Sequence, residues 1–255
     1  MLVVVAVGSA SSVVSDLAYR LGFAKVPSTV LSRVEELVER GVFDEAALTW
    51  ALTIKQTRFF RQPGQYDVLS EFLRCWRGRG ESRVCRIWCA ACSTGQEAYS
   101  AAAVALAAGV PAKVLGTDVD ALALEAARVG RYREEELEHV PPVYRWCLRR
   151  VGRAVEVVEE LRGLVEFRKL NLACDDFPEA DVVFCRNVLI YFRREVAERV
   201  VEKIAGCLSP GGLLFLGEGE TLGPRGLDLG FEAQTDGALR YVRLDAERGR
   251  VLECG

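Results

Sequence analysis

The sequence predicts an α/β fold: a mostly parallel, doubly wound sheet with a small helical domain ahead of it and a short insertion inside it. Three observations carry this expectation. From about residue 84 onward, short apolar runs alternate with longer stretches of helical periodicity, the pattern of strand–helix–strand units. Before residue 53, apolar residues recur at helical spacing instead. Between Tyr132 and Leu170 the alternation breaks, as it does where a chain leaves a sheet and returns.

The elements follow in order. Over residues 11–53, Val13, Val14, Leu17 and Leu21 share one helical face, and Val34, Leu37 and Val38 share another. Gly22 and Gly41 mark breaks between short helices. After the Pro63-Gly64 turn, Leu69, Phe72, Leu73 and Trp76 line one face of a further helix, and the polar run 77–82 reads as a surface loop. The first strand is expected at 84–89, followed by the small-residue loop AACSTG and a helix over 96–108. A second strand at 112–117 leads to a helix at 121–129. Within the break, residues 145–153 are basic, and 155–158 and 165–167 read as short strands of the insertion. A buried strand at 181–185, a helix at 196–207, a turn at Pro210-Gly211-Gly212 and a strand at 213–217 complete the alternation, with a late edge strand at 240–244. The expected division is a helical domain at 1–53, a linker that covers the ligand at 54–82, a core at 83–255 and an insertion at 133–168 within that core.

Composition limits what such a chain does. Half of its 255 residues are hydrophobic and 27% are charged, which supports a packed core and excludes wholesale disorder. Lysine plus arginine number 33 against 36 acidic residues, a near balance that argues against a general nucleic-acid or membrane-surface binder. The opening run LVVVAVG is far shorter than the about 20 apolar residues that cross a bilayer. No basic residue precedes it, unlike a signal peptide. A buried strand or short helix is expected there, with no stable membrane insertion and a cytoplasmic location. Nine cysteines include the cluster Cys85, Cys89 and Cys92, yet no second close pair accompanies it and the lone His139 is distant in sequence. Structural zinc takes four ligands, so ordinary packed thiols and no metal are expected.

The first strand and loop, RIWCAACSTGQEAYS, bring small residues to the start of a helix, where backbone comes close to a ligand and N–H donors are unpaired. The loop is neither GxGxxG nor a GxxxxGK[ST] phosphate loop, so nucleotide hydrolysis is not expected. Asp118 ends the second strand in GTDVD, on the side where doubly wound sheets bind ligands. Its carboxylate suits two ribose hydroxyls; capping the next helix is its alternative role, for which Asp120 is the better placed. Glu97 suits an ammonium group, or is simply an acid in a first helical turn. A ligand with a ribose, an ammonium and a sulfonium fits these carboxylates better than a pyrophosphate does.

Six strings occur in order: TRFFR (57–61), CAACSTGQEAYS (89–100), GTDVD (116–120), FRKLNL (167–172), FCRNVLIYF (184–192) and LSPGGLLFLGEGE (208–220). Together they closely resemble the CheR-type chemotaxis receptor methyltransferases, over about residues 53–220. The resemblance implies a Rossmann-like S-adenosylmethionine-dependent methyltransferase core with a small N-terminal helical domain and an inserted β-subdomain. It implies transfer of a methyl group from S-adenosyl-L-methionine to glutamate side chains in the cytoplasmic helical signalling region of a chemoreceptor-like protein, by a chain expected to be a monomer. It places Thr57 and Arg61 against the cofactor from the linker, Glu97 on its methionyl part and Asp118 on its ribose. Asn171 and Leu172 border the adenine, and Arg186 and Asn187 form the pocket segment after the fourth strand. Arg61 and Tyr191 lie near the transferred methyl and place the acceptor carboxylate.

Each of these has a plainer reading: Arg61 in a structural ion pair, Arg186 locking its loop, Tyr191 as core material beside Ile190 and Phe192. The chain also departs from the family pattern. Ala91 stands where a glycine is usual, Gln96 where glutamate is usual, Lys55 where asparagine is usual, and GEGE replaces GHSE, while residues 1–50 match poorly. A catalytically quiet regulatory or scaffold protein of the same fold, or a methyltransferase with another acceptor, is the alternative these departures motivate.

Overall fold

The computed structural model describes residues 10–24, 26, 28–41, 44–78, 84–235 and 240–243. The opening apolar run, most of the expected loop at 77–82 and position 244 lie outside them.

The helical domain comprises α1 (Ala10–Arg20), α2 (Ser28–Glu39) and α3 (Glu45–Leu52). Val14, Leu17, Leu21, Val34, Val38 and Leu48 close into one apolar cluster, which also takes in Val119 from the core. Asp44 starts α3 by accepting the Ala47 N–H at 2.9 Å. Gly22 has φ +82°, a conformation glycine reaches without Cβ strain, so the chain reverses there after α1. Next, α4 (Pro63–Gly78) buries Leu69, Leu73 and Trp76, extending two residues into the stretch expected to be loop.

Ten strands form two sheets among the described residues: β1 (Cys85–Ala90), β2 (Ala112–Asp118), β3 (Arg131–Arg133), β4 (Leu148–Val151), β5 (Ala154–Val157), β6 (Val165–Lys169), β7 (Ala180–Cys185), β8 (Leu208–Leu216), β9 (Phe231–Gln234) and β10 (Arg240–Arg243). The main sheet runs β6-β2-β1-β7-β8-β10-β9 and the small one β3-β5-β4. From β6 to β8 all neighbours are parallel, whereas β10 pairs antiparallel with both β8 and β9. Helices α5 (Gln96–Ala108), α6 (Ala121–Val129), α7 (Glu159–Arg162), α8 (Arg194–Cys207) and α9 (Gly223–Asp228) connect them. Apolar clusters fill both faces of the main sheet. Almost every residue of α5 is buried, and its run of alanines permits close approach to the sheet.

Three expectations are corrected. Residues 165–167 belong to the main sheet, where β6 pairs with β2, so the small sheet ends well before residue 168. Phe167 faces Gly116 of β2 so closely that a Cβ at that glycine would lie 2.7 Å from the ring. The strand at 240–243 is not the edge: β9 pairs outside it, and four residues with only two apolar members carry too little period-2 signal to be seen in sequence. Pro210-Gly211-Gly212 lies within β8 as a register irregularity rather than before it. Gly212 permits this, since a Cβ there would stand 2.7 Å from the Asp181 carbonyl oxygen.

Candidate active site

A cleft opens at the carboxyl ends of β1, β2 and β7, the place where a doubly wound sheet leaves room for a ligand. The core lines it with Asp118, Asn171, Leu172, Asn187 and Tyr191, and the helical domain closes it with Leu21 and Phe23. The two halves are stitched at the rim. Phe23 bridges to Phe192 as a short antiparallel pair, their rings 6.2 Å apart, and the Ala24 N–H donates to the Tyr191 carbonyl at 2.8 Å.

Asp118 organises the loop between β1 and α5. Its Oδ2 accepts the Ser93 N–H at 2.8 Å and its Oδ1 the Asp120 N–H at 2.9 Å. Asp120 in turn caps α6 by accepting from Leu122 and Ala123. Helix capping therefore falls to Asp120, and Asp118 remains beside the cleft with lone pairs to spare. Burial pushes the Asp118 carboxyl up to about 6, against the pull of its two N–H partners. Within the loop, Ala91 and Ser93 take φ +58° and +51°. The Tyr132 hydroxyl, from β3, donates to the Thr94 carbonyl at 2.7 Å and ties the small sheet to this turn.

Glu97 and Arg186 form the second part, a buried pair at 2.6 Å (Glu97 Oε2 to Arg186 Nε). The guanidinium also donates to Gln65 Oε1 and the Tyr66 hydroxyl, each at 3.0 Å, and to the Arg61 carbonyl. Burial raises the Glu97 carboxyl's proton affinity, and Arg186 opposes it. The other oxygen of Glu97, Oε1, has no hydrogen-bond partner among the described residues, and neither do the buried Ser93 Oγ and Asn187 Oδ1. An unmet buried acceptor costs about 1–3 kcal/mol, so such groups together indicate a ligand with donors.

The remaining positions divide. Arg61 donates to the Gln56 carbonyl at 2.8 Å and lies close enough to Glu97 to help hold it ionised. Thr57 is half-buried in the same linker, and neither residue lines the cleft wall. Asn171 spends its amide on the Arg20 carbonyl and its Oδ1 on the Ala173 N–H, so its side chain shapes the loop rather than reaching outward. Cys89 and Cys92 are buried free thiols whose pKa burial pushes well above the ordinary value, which keeps them protonated.

Residues 55–234 match the family model described as CheR methyltransferase, SAM binding domain. The chain belongs to this family. It is 41% identical over 182 residues to chemotaxis protein methyltransferase 2 of Pseudomonas aeruginosa, covering 67% of this chain and 64% of that one. It is 38% identical over 201 residues to the chemotaxis protein methyltransferase of Salmonella typhimurium, covering 74% and 68%. The corresponding Escherichia coli protein is 38% identical over 182 residues, covering 67% and 62%. The chain thus spans roughly two thirds of the length of these relatives, and slightly less for two of them.

The departures from the CheR pattern now have physical content. Lys55 lines the cleft but pairs with Asp120 at 3.2 Å, donates to Thr53 Oγ1 and the Trp50 carbonyl, and sits 4.0 Å over the Trp50 ring. Its charge is spent on these partners rather than on Glu97. Gln96 donates to Glu136 Oε1 at 3.2 Å, a contact that a glutamate would turn into repulsion. In GEGE the last residue, Glu220, is buried beneath the turn that carries Asn187. Sequence pattern does not single out Ser93, Glu220, Leu21 and Phe23, which the fold brings to the cleft or beneath it. Ser93 and Glu220 lie within the matching strings, whereas Leu21 and Phe23 carry no motif and reach the cleft only through domain packing.

Proposed function

We propose that this CheR-family chain is an S-adenosylmethionine-dependent O-methyltransferase that forms glutamate methyl esters on the cytoplasmic helical signalling region of a chemoreceptor-like protein. The observation that carries the reading is the cleft wall that brings Asp118 together with Asn187, whose buried Oδ1 has no hydrogen-bond partner among the described residues. We assign the amino-acid ammonium to Asn187 Oδ1, with the buried Glu97 carboxylate lying outside the cleft lining, and the ribose hydroxyls to the free lone pairs of Asp118. Leu172, on the cleft wall beside Asn171, offers an apolar edge for the adenine. Arg186 orients Glu97, and Arg61 acts on the site through its charge near Glu97, with Thr57 in the same linker.

Bound S-adenosylmethionine supplies an electrophilic methyl group. An ionised glutamate oxygen forms the new O–C bond as the C–S bond breaks, so no residue of the chain has to move a proton. The task left to the protein is alignment and exclusion of water. Tyr191, on the cleft wall, is placed to orient the incoming carboxylate by its hydroxyl, with Arg61 assisting. Arg61 also has to stay loosely engaged, because a tightly paired carboxylate is a poorer nucleophile.

Incubation with methyl-labelled cofactor and purified receptor signalling fragments tests this. Base-labile label on glutamate is expected. Cofactor binding without any transfer would refute the catalytic reading, and base-stable label would refute ester formation.

A further inference from the structure

Glu220 is a buried carboxylate outside the assigned site whose hydrogen bonds all come from backbone N–H groups. It is 5% exposed, and its Oε2 accepts the Asn187 N–H at 2.6 Å and the Gly217 N–H at 2.7 Å, while Oε1 accepts the Ile190 N–H at 3.4 Å. All three donors belong to backbone at the ends of β7 and β8. The held turn is not one the chain adopts freely: Asn187 has φ +56°, in the left-handed region. The packing leaves no slack either, since a Cβ at Gly217 would stand 2.6 Å from both the Asn187 nitrogen and Glu220 Oε2. From this turn Asn187 carries its unpartnered Oδ1, and four residues on Tyr191 reaches the cleft.

From this arrangement we infer that Glu220 is a positioning residue for the methyl-donor pocket. Its carboxylate clamps three backbone N–H groups and so fixes the 187–191 turn in the conformation that presents Asn187 and Tyr191. It acts as an acceptor of correct reach, not as a charge felt by the ligand. The inference rests on the reading of the cleft as an S-adenosylmethionine pocket.

Two conservative variants separate reach from charge. Glu220→Gln keeps an oxygen able to take the place of Oε2 but loses the charge. Glu220→Asp keeps the charge but draws it back by one methylene. S-adenosylhomocysteine affinity by calorimetry is expected to be near wild type for Glu220→Gln and weakened about tenfold for Glu220→Asp, the effect of losing one well-formed hydrogen bond to a charged acceptor. Hydrogen exchange at the Asn187 and Gly217 amides, both held by Oε2, is expected to follow the same order, fast in Glu220→Asp and protected in Glu220→Gln. Wild-type behaviour of both variants, or the opposite order, overturns the inference. Failure of the unmodified chain to bind S-adenosylhomocysteine would instead count against the proposed function. The exchange measurement needs no ligand and would still decide the role of Glu220.

Discussion

Asp118 shows how one side chain shapes the fold while facing the cleft. Its two backbone partners shape the loop from β1 to α5, yet burial leaves the carboxyl with a pKa of about 6 against an ordinary 3.8. Between those values the native chain binds more protons than the unfolded one, so on this group's account stability falls as pH rises through that window. Ligand binding has the opposite dependence, because only the ionised form has full capacity to accept ribose hydroxyls. S-adenosylhomocysteine affinity is therefore expected to drop as pH falls through about 6, and Asp118→Asn to abolish that dependence, both measured by calorimetry across pH 5–8. Ala91 is simpler. At φ +58° an alanine carries strain of about 1–2 kcal/mol that glycine avoids, partly offset by glycine's freer unfolded chain. Ala91→Gly is expected to stabilise the protein by about 1 kcal/mol in urea titration, with cofactor affinity retained.

The elements show where local pattern suffices and where it does not. Helices α5 and α6 span the residues their periodicity predicts, since alanine-rich helix formers, Asp120 as a cap and glycines just past each end all agree. Strand β6 sits in the main sheet against the sequence expectation, because five residues of alternating character look alike in an insertion and at a sheet edge. The deciding fact lies in β2, where Gly116 leaves room for the Phe167 ring. Gly116→Ala would put a Cβ 2.7 Å from that ring and 3.0 Å from Cys92 Sγ. Overpacking of this kind costs about 1–3 kcal/mol, so a lower melting temperature is expected, and an unchanged one would contradict this account of the β2–β6 contact.

Across the molecule, the site depends on two domains meeting. The helical domain supplies a wall of the cleft, and Lys55 fastens the end of α3 to the head of α6 through Asp120. Removing Lys55 leaves Asp120 buried without its cation, although Thr53 and the two capping N–H groups remain. Lys55→Ala is expected to lower stability by about 1–3 kcal/mol, below the full cost of breaking a buried pair because the lysine is partly exposed. Thermal unfolding measures it. Calorimetry on the same variant separates this loss from any change in ligand affinity. Among the described residues, no helix is long and apolar enough to cross a membrane.

Much of this was readable in the chain of letters. The parallel core, the ligand side of its sheet and the acids Glu97 and Asp118 follow from hydrophobic period, small-residue loops and short strings, all of which act over a few neighbouring residues. Other features were not readable. The burial of Arg186 under Glu97, Gln65 and Tyr66, the hold of Glu220 on Asn187 and Ile190, the spending of Lys55 on Asp120 and the pairing of Phe23 with Phe192 join residues 30 to 169 positions apart. Hydrogen bonding and desolvation act through space, so partners that far apart leave no period or spacing in the sequence, and folding alone brings them together.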